Sequence, residues 1–216
     1  MKDKKRMLWI AVFCLCAAAM LTAQTVAPNR GIRIGLGVAI GKEVLAVNDQ
    51  EESFIPSINQ VDLPTFYIPI LIIPTIRIEP EFGYLKASSS VGGIDRDVSL
   101  MLFGGGVFLT QWYGPVDLYF GGRFDLLKSS VHVNKPVDQT TTRTDLIYGP
   151  AVGGEYFFDS LKKLSIGGEI QFNFVKLGEI KGEEDRAANA GTGKIDRSIV
   201  RTKPLIFVRW YFGRKG

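Results

Sequence analysis

The sequence predicts an all-β fold: an eight-stranded antiparallel up-and-down transmembrane β-barrel, preceded by a cleaved signal helix. Three observations predict it. Segments of about ten residues or more alternate apolar with polar or small side chains along most of the chain, which is the period of a strand with two different faces. The connections between segments are alternately short and long, as in spanning barrels with tight turns on one side and longer loops on the other. A hairpin unit recurs, since Gly105-Gly106 and Gly121-Gly122 flank one tight turn and Gly153-Gly154 and Gly167-Gly168 the next. Repeated hairpins build up-and-down barrels.

The chain starts with a different kind of segment. Lys2, Lys4, Lys5 and Arg6 precede an apolar run from Met7 to Leu21, followed by Thr22-Ala23. A basic start, a short apolar core and a small-residue cleavage site make a Sec-type secretory signal. The run is shorter than the roughly 20 residues of a helical span. Residues 1–23 are therefore read as signal peptide and 24–216 as one barrel domain. The cut removes four of 26 basic and one of 22 acidic residues and leaves 22 against 21, a net charge of +1. That balance argues against a nucleic-acid partner. Cys14 and Cys16 leave with the signal, and Phe13-Cys14-Leu15 lacks the small residue that precedes a lipidated cysteine. No disulfide, thiolate metal site or Cys nucleophile is then expected. The chain is 46% hydrophobic, which excludes disorder.

The alternation places strands near 31–45, 63–73, 75–90, 97–112, 116–131, 143–158, 163–180 and 198–212. In the first, Ile32, Ile34, Leu36, Val38 and Ile40 share a face opposite Arg33, Gly35, Gly37 and Ala39. In the third, Ile76, Ile78, Pro80 and Phe82 oppose Arg77, Glu79, Glu81 and Gly83. The fifth sets Val116, Leu118, Phe120, Phe124 and Leu126 against Asp117, Tyr119, Gly121, Arg123 and Asp125. The seventh and eighth continue the pattern, with Ser165, Glu169, Gln171, Asn173 and Arg209 on the polar face. Pro64, Pro69, Pro74 and Pro80 predict a bulge or kink in the second and third strands, because proline cannot donate to a ladder. Tight turns are expected at Ile73-Pro-Thr75, Tyr113-Gly-Pro115 and 159–162. Longer links are expected at 46–62, 91–96, 132–142 and 181–197.

The charged faces could point to water around an apolar pocket, as in a lipocalin-like secreted binding protein, or inward behind a lipid-facing apolar surface. The second placement follows from three features. An export signal is present, the apolar faces carry large residues over bilayer-spanning lengths, and the opposite faces are rich in glycine, which suits a crowded eight-strand lumen. Aromatic residues beside the turns suit an interfacial girdle.

On these residues the mature chain resembles the small eight-stranded outer-membrane barrels of Gram-negative bacteria, the OmpA/OmpX/opacity-like class. The run Leu205-Ile-Phe-Val-Arg-Trp-Tyr-Phe212 resembles the terminal-strand signal read by the barrel assembly machinery, with Val208, Trp210 and Phe212 at alternate positions and four residues following. The resemblance implies a place in the outer membrane, contact with outer-membrane lipid or lipopolysaccharide, and a structural or surface-binding role (adhesion or membrane integrity) carried by four external loops. An extracellular ligand would meet the loops 46–62 and 181–197. No enzymatic activity and no cofactor are expected.

Candidate chemistry is sparse. Arg33, Arg77, Glu79, Glu81, Arg123, Asp125, Glu155, Glu169 and Arg209 are expected to face the lumen as a paired network that plugs the barrel, with an ion path or porin-like pore as the alternative. The single histidine, His132, lies two residues from Ser130. Both then share a strand face, and some outer-membrane barrels deacylate lipid A with such a pair. No orienting third group is identifiable, and a polar strand end is the preferred reading. Ala190-Gly-Thr-Gly-Lys194 lacks the first glycine and the Ser/Thr of a phosphate loop. Asp95-Arg-Asp97 and Glu183-Glu-Asp185 are too short and exposed for metal sites.

Overall fold

The computed structural model describes residues 32–41, 45–46, 63–91, 93–134, 139–161, 163–179, 181–182 and 198–212. The signal segment, most of the loops 46–62 and 181–197, the 190–194 stretch and the 183–185 acids lie outside the described residues. The strands are β1 (Arg33–Gly41), β2 (Leu45–Ala46), β3 (Thr65–Tyr67), β4 (Ile70–Ile73), β5 (Ile76–Val91), β6 (Ile94–Tyr113), β7 (Val116–Val133), β8 (Gln139–Phe157), β9 (Leu164–Lys176), β10 (Lys181–Gly182) and β11 (Ser198–Phe212). β3 and β4 together make one stave, and β2 and β10 are short loop-end additions to β11 and β8. That leaves eight staves, each antiparallel to its neighbours, closed by β1 on β11 from Ile34↔Phe212 to Gly41↔Leu205. Closure leaves no lipid-facing sheet edge, as a hydrocarbon surround requires.

The barrel's stagger follows from the pairing. Starting at Asp117 on β7, the partners run through Glu155, Gly167, Phe207, Ala39, Thr65, Gly83 and Leu102. The line returns to β7 at Leu127, ten residues from its start. Ten residues of about 3.3 Å against eight strands about 4.8 Å apart give a tilt of about 41°. A lumen of this size is filled by side chains.

Proline shapes the second stave as expected, though the shift lies elsewhere. The ladder is interrupted at Ile68-Pro69 between β3 and β4, yet β1 keeps one register on both sides. Gly35 N donates to Pro69 O at 2.8 Å and Ile68 N to Pro80 O at 2.9 Å. The register slips between Leu71 and Ile73, beside Pro74. Two links are shorter than expected. Val91 pairs with Ile94, so the medium loop expected over 91–96 is shorter than expected, with Gly93 at φ 77°. That backbone requires glycine. The link expected over 132–142 narrows because Val133 pairs with Gln139.

The two faces separate as the alternation predicts. Ile32, Phe103, Val107, Phe124, Ile206 and Val208 point outward and are exposed, while Arg77, Glu79, Glu155 and Arg209 are at most 1% exposed inside. This is the reverse of a soluble ligand-binding barrel. On β7 the apolar outer face runs from Val116 to Leu126. Ten steps of about 3.4 Å at that tilt stand about 25 Å tall, the height of a barrel's hydrocarbon band. Tyr113, Tyr156, Phe158, Trp210 and Phe212 rim the turn end, and Tyr84, Phe103, Tyr148 and Phe174 the loop end. No described helix is long and apolar enough to cross a membrane.

Inside, glycine makes room for rings. A Cβ on Gly153 would collide with the Tyr119 hydroxyl, and one on Gly167 with the Phe207 ring. Gly153 and Gly167, one from each doublet, therefore mark where lumen aromatics cross the barrel. Phe108 meets Tyr119 edge-on at 5.2 Å.

Candidate functional site

The lumen is layered. At the turn end Leu71, Phe157 and Tyr211 pack together. Arg33 lies over the Phe157 and Tyr211 rings at 5.2 Å and reaches Asp117 Oδ2 at 3.4 Å. Above them comes the charge network, interleaved with Tyr67, Phe108, Tyr119 and Phe207. Toward the loop end an apolar layer of Leu63, Leu100, Leu102, Leu127, Ile147 and Val175 fills the interior.

Arg123 is the hub of the network. Its Nε donates to Glu169 Oε1 at 2.6 Å and its Nη2 to Glu169 Oε2 at 2.8 Å, a two-pronged bond. Nη2 also donates to Glu79 Oε1 at 2.9 Å and Nη1 to Glu81 Oε2 at 3.2 Å. Arg209 Nη2 donates to Glu79 Oε1 at 2.5 Å and Nη1 to Glu155 Oε2 at 3.3 Å. Arg77 Nη1 donates to Glu155 Oε1 at 2.9 Å, and its Nε faces Glu79 Oε2 at 3.3 Å as an ion pair outside hydrogen-bond geometry. The planar guanidinium suits such forked contacts and also stacks on rings. Arg77 lies 3.7 Å from the Tyr119 centroid and Arg209 3.7 Å from that of Phe207.

Neutral donors complete the shell. Tyr119 donates to Glu169 at 2.8 Å, Tyr211 and Ser165 to Glu155 at 2.8 and 3.0 Å, and Gln171 to Glu169 at 2.8 Å. Charges taken from water are tolerable only when partners replace the lost hydration. The structure thus joins Arg77, Glu79, Glu81, Arg123, Glu155, Glu169 and Arg209 directly. Asp125 stands at the upper edge against Glu81, with Arg123 and Lys203 as neighbouring cations. Arg33 lies apart at the turn-end mouth. Val208, Trp210 and Phe212 point outward from the last strand.

Sequence reasoning missed a second buried pair. Arg143 Nε donates to Asp145 Oδ2 at 3.0 Å, and Asp145 Oδ1 accepts from Gly178 N at 3.0 Å. Both residues lie within the strand expected over 143–158 and share the odd-numbered phase of Glu155, so reading the alternation along that whole strand finds them. Tyr67 was hidden by the prolines around it.

Beyond the apolar band β5 to β8 continue as a Ser/Thr-rich sheet. Ser130 and His132 lie on its outer face, where His132 pairs across the ladder with Asp97 and Ser130 with Ser99. The His132 Nδ1 contact is to Thr140 Oγ1, at 3.1 Å. Asp97 is held below the usual carboxylate range by a hydrogen bond from Ser88, against the opposing effect of desolvation, with Lys86 and His132 adding to the lowering. Asp95 bonds with Asn134 across the sheet. Among the described residues no group of three or more metal-ligating side chains forms.

No family model and no curated protein matches the chain. Solved structures do. A major outer membrane protein of Thermus thermophilus is 12% identical, with a TM-score of 0.51 over 85% of this chain and 100% of that one. Neisserial surface protein A is 16% identical, with a TM-score of 0.47 over 85% and 98%. Ail of Yersinia pestis, solved with the heparin analogue sucrose octasulfate, is 12% identical, with a TM-score of 0.49 over 84% and 97%. At such identities the likeness is one of architecture, and the chain has the closed eight-stranded fold of the small outer-membrane barrels.

Proposed function

We propose that this protein is an outer-membrane barrel with a closed lumen, a non-enzymatic scaffold for membrane integrity or surface binding. The filled lumen carries the reading: the arginine–carboxylate network closes the middle and the leucine-rich layer closes the loop end. A hydrated ion path needs space and unpaired charge, and neither fits a side-chain-filled eight-strand interior. The apolar outer band and its aromatic rims support the membrane placement. An extracellular partner would bind at the loop-end sheet or through residues 46–62 and 181–197. Val208, Trp210 and Phe212 fit an assembly signal by their outward alternation.

Boiled and unboiled outer-membrane fractions are expected to migrate differently on a gel, as a closed barrel resists detergent until heated. In planar bilayers the mature protein is expected to give no discrete conductance steps. Reproducible unitary steps would replace the scaffold reading with a channel. The His132 Nδ1 contact is with Thr140 rather than Ser130, which supports the non-enzymatic reading. Mass spectra of lipid A from cells expressing Ser130→Ala or His132→Ala are therefore expected to match those from cells with the unaltered protein.

A further inference from the structure

The outer surface holds a feature that neither the lumen nor the loops explain. Lys86 on β5, Lys128 on β7 and Lys176 on β9 all point outward and are exposed. Each follows a rim or band residue by two positions on the same face: Tyr84 then Lys86, Leu126 then Lys128, Phe174 then Lys176. The three strands all run from turn end to loop end, so each lysine is the next outward residue beyond the apolar band. The ladder places them at one height. A stagger of ten residues raises the hydrogen-bond line by about 25 Å per circuit, about 3 Å per strand. Lys86 pairs with Ser99 and Ser99 with Ser130, two residues beyond Lys128. The climb of two strands then nearly cancels the two-residue offset. The same offset recurs between Lys128 and Lys176, and the three Cα atoms stand within about 3 Å of one level.

That level is where the lipid phosphates of the loop-side leaflet lie, just outside the hydrocarbon band. Hydroxyls stand beside the lysines: Ser99 opposite Lys86 and Thr144 opposite Lys128. The carboxylate in contact is Asp97, 3.7 Å from Lys86, with both side chains substantially exposed. An exposed pair of this kind holds a lysine weakly and leaves it available to phosphate.

We infer that Lys86, Lys128 and Lys176 form a cationic belt that binds the phosphates of a phosphorylated lipid headgroup in the loop-side leaflet. Lysine stems lie along the band while the ammonium groups reach the phosphate plane. Ser99 and Thr144 add hydroxyl donors. The inference rests on the membrane-barrel reading.

The test uses the full mature chain in phosphatidylcholine micelles, titrated with bisphosphorylated lipid A and read by native mass spectrometry as lipid retained per barrel. The variant K86Q/K128Q/K176Q is expected to lose about tenfold to a hundredfold in affinity, with K163Q at the turn end unchanged. Raising the salt is expected to narrow the difference. A triple variant that binds as tightly as the wild type, or equal binding of lipid A stripped of its phosphates, would overturn the belt. Each sample is first checked for the heat-dependent mobility shift. A wild type without that shift defeats the barrel reading itself. A shifted triple variant with unchanged binding defeats the belt alone.

Discussion

Replacing Arg123 by Ala is expected to destabilise the folded barrel by about 3–5 kcal/mol, the cost of stranding buried charges. Three carboxylates depend on this one side chain, Glu169 through two bonds and Glu79 and Glu81 through one each. The remaining arginines already serve Glu79 and Glu155. Gln171 and Tyr119 would still donate to Glu169, but neutral donors do not balance its charge. The measurement is urea unfolding in phosphatidylcholine vesicles, followed by gel mobility and tryptophan fluorescence. Arg33→Ala is the comparison, because its pair with Asp117 is a single 3.4 Å contact at the partly exposed mouth. Its loss is expected to cost under about 1 kcal/mol. Equal losses at the two positions would mean that the lumen is hydrated and the network is no plug.

Ile206→Arg is the second large effect, at about 2–4 kcal/mol in a bilayer. Ile206 is 67% exposed on the outer face of β11, close to midway between the aromatic rims. Little packing is lost when it is replaced, so the penalty measures what surrounds the barrel. A charge in hydrocarbon is costly, while the same change on a solvated surface stays within about 0.5 kcal/mol. Ser130→Arg, above the band on β7, is expected to be nearly neutral. Should Ile206→Arg fold in vesicles as readily as the wild type, the apolar face does not meet lipid.

Much of this architecture is legible in the chain because a strand's side chains alternate with period two and a barrel has only two faces. Each lumen residue named from Arg33 to Arg209 lies on the lumen side for that reason. The alternation fails where the backbone departs from a regular ladder. Pro69 divides a stave without moving its register, and the slip occurs beside Pro74. The strand expected over 143–158 also contains Arg143 and Asp145, but their face was not read. Between Val91 and Ile94, which pair directly, Gly93 takes a positive φ, and polar composition on both sides made the link look longer.

The sequence by itself determined the fold class, the number of staves and which side of each faces the lumen, since these are properties of local period and turn spacing. It did not determine partners. Arg123 and Glu169 are 46 residues apart, and Arg209 and Glu79 are 130 apart. Such pairs form only after closure sets the ten-residue stagger, which decides which side chains share a height inside the tube. The same stagger brings Lys86, Lys128 and Lys176 to one level outside it. Period is a local property of the chain, whereas height in a tilted barrel depends on every strand at once, so the charge network and the lysine belt exist only in the closed structure.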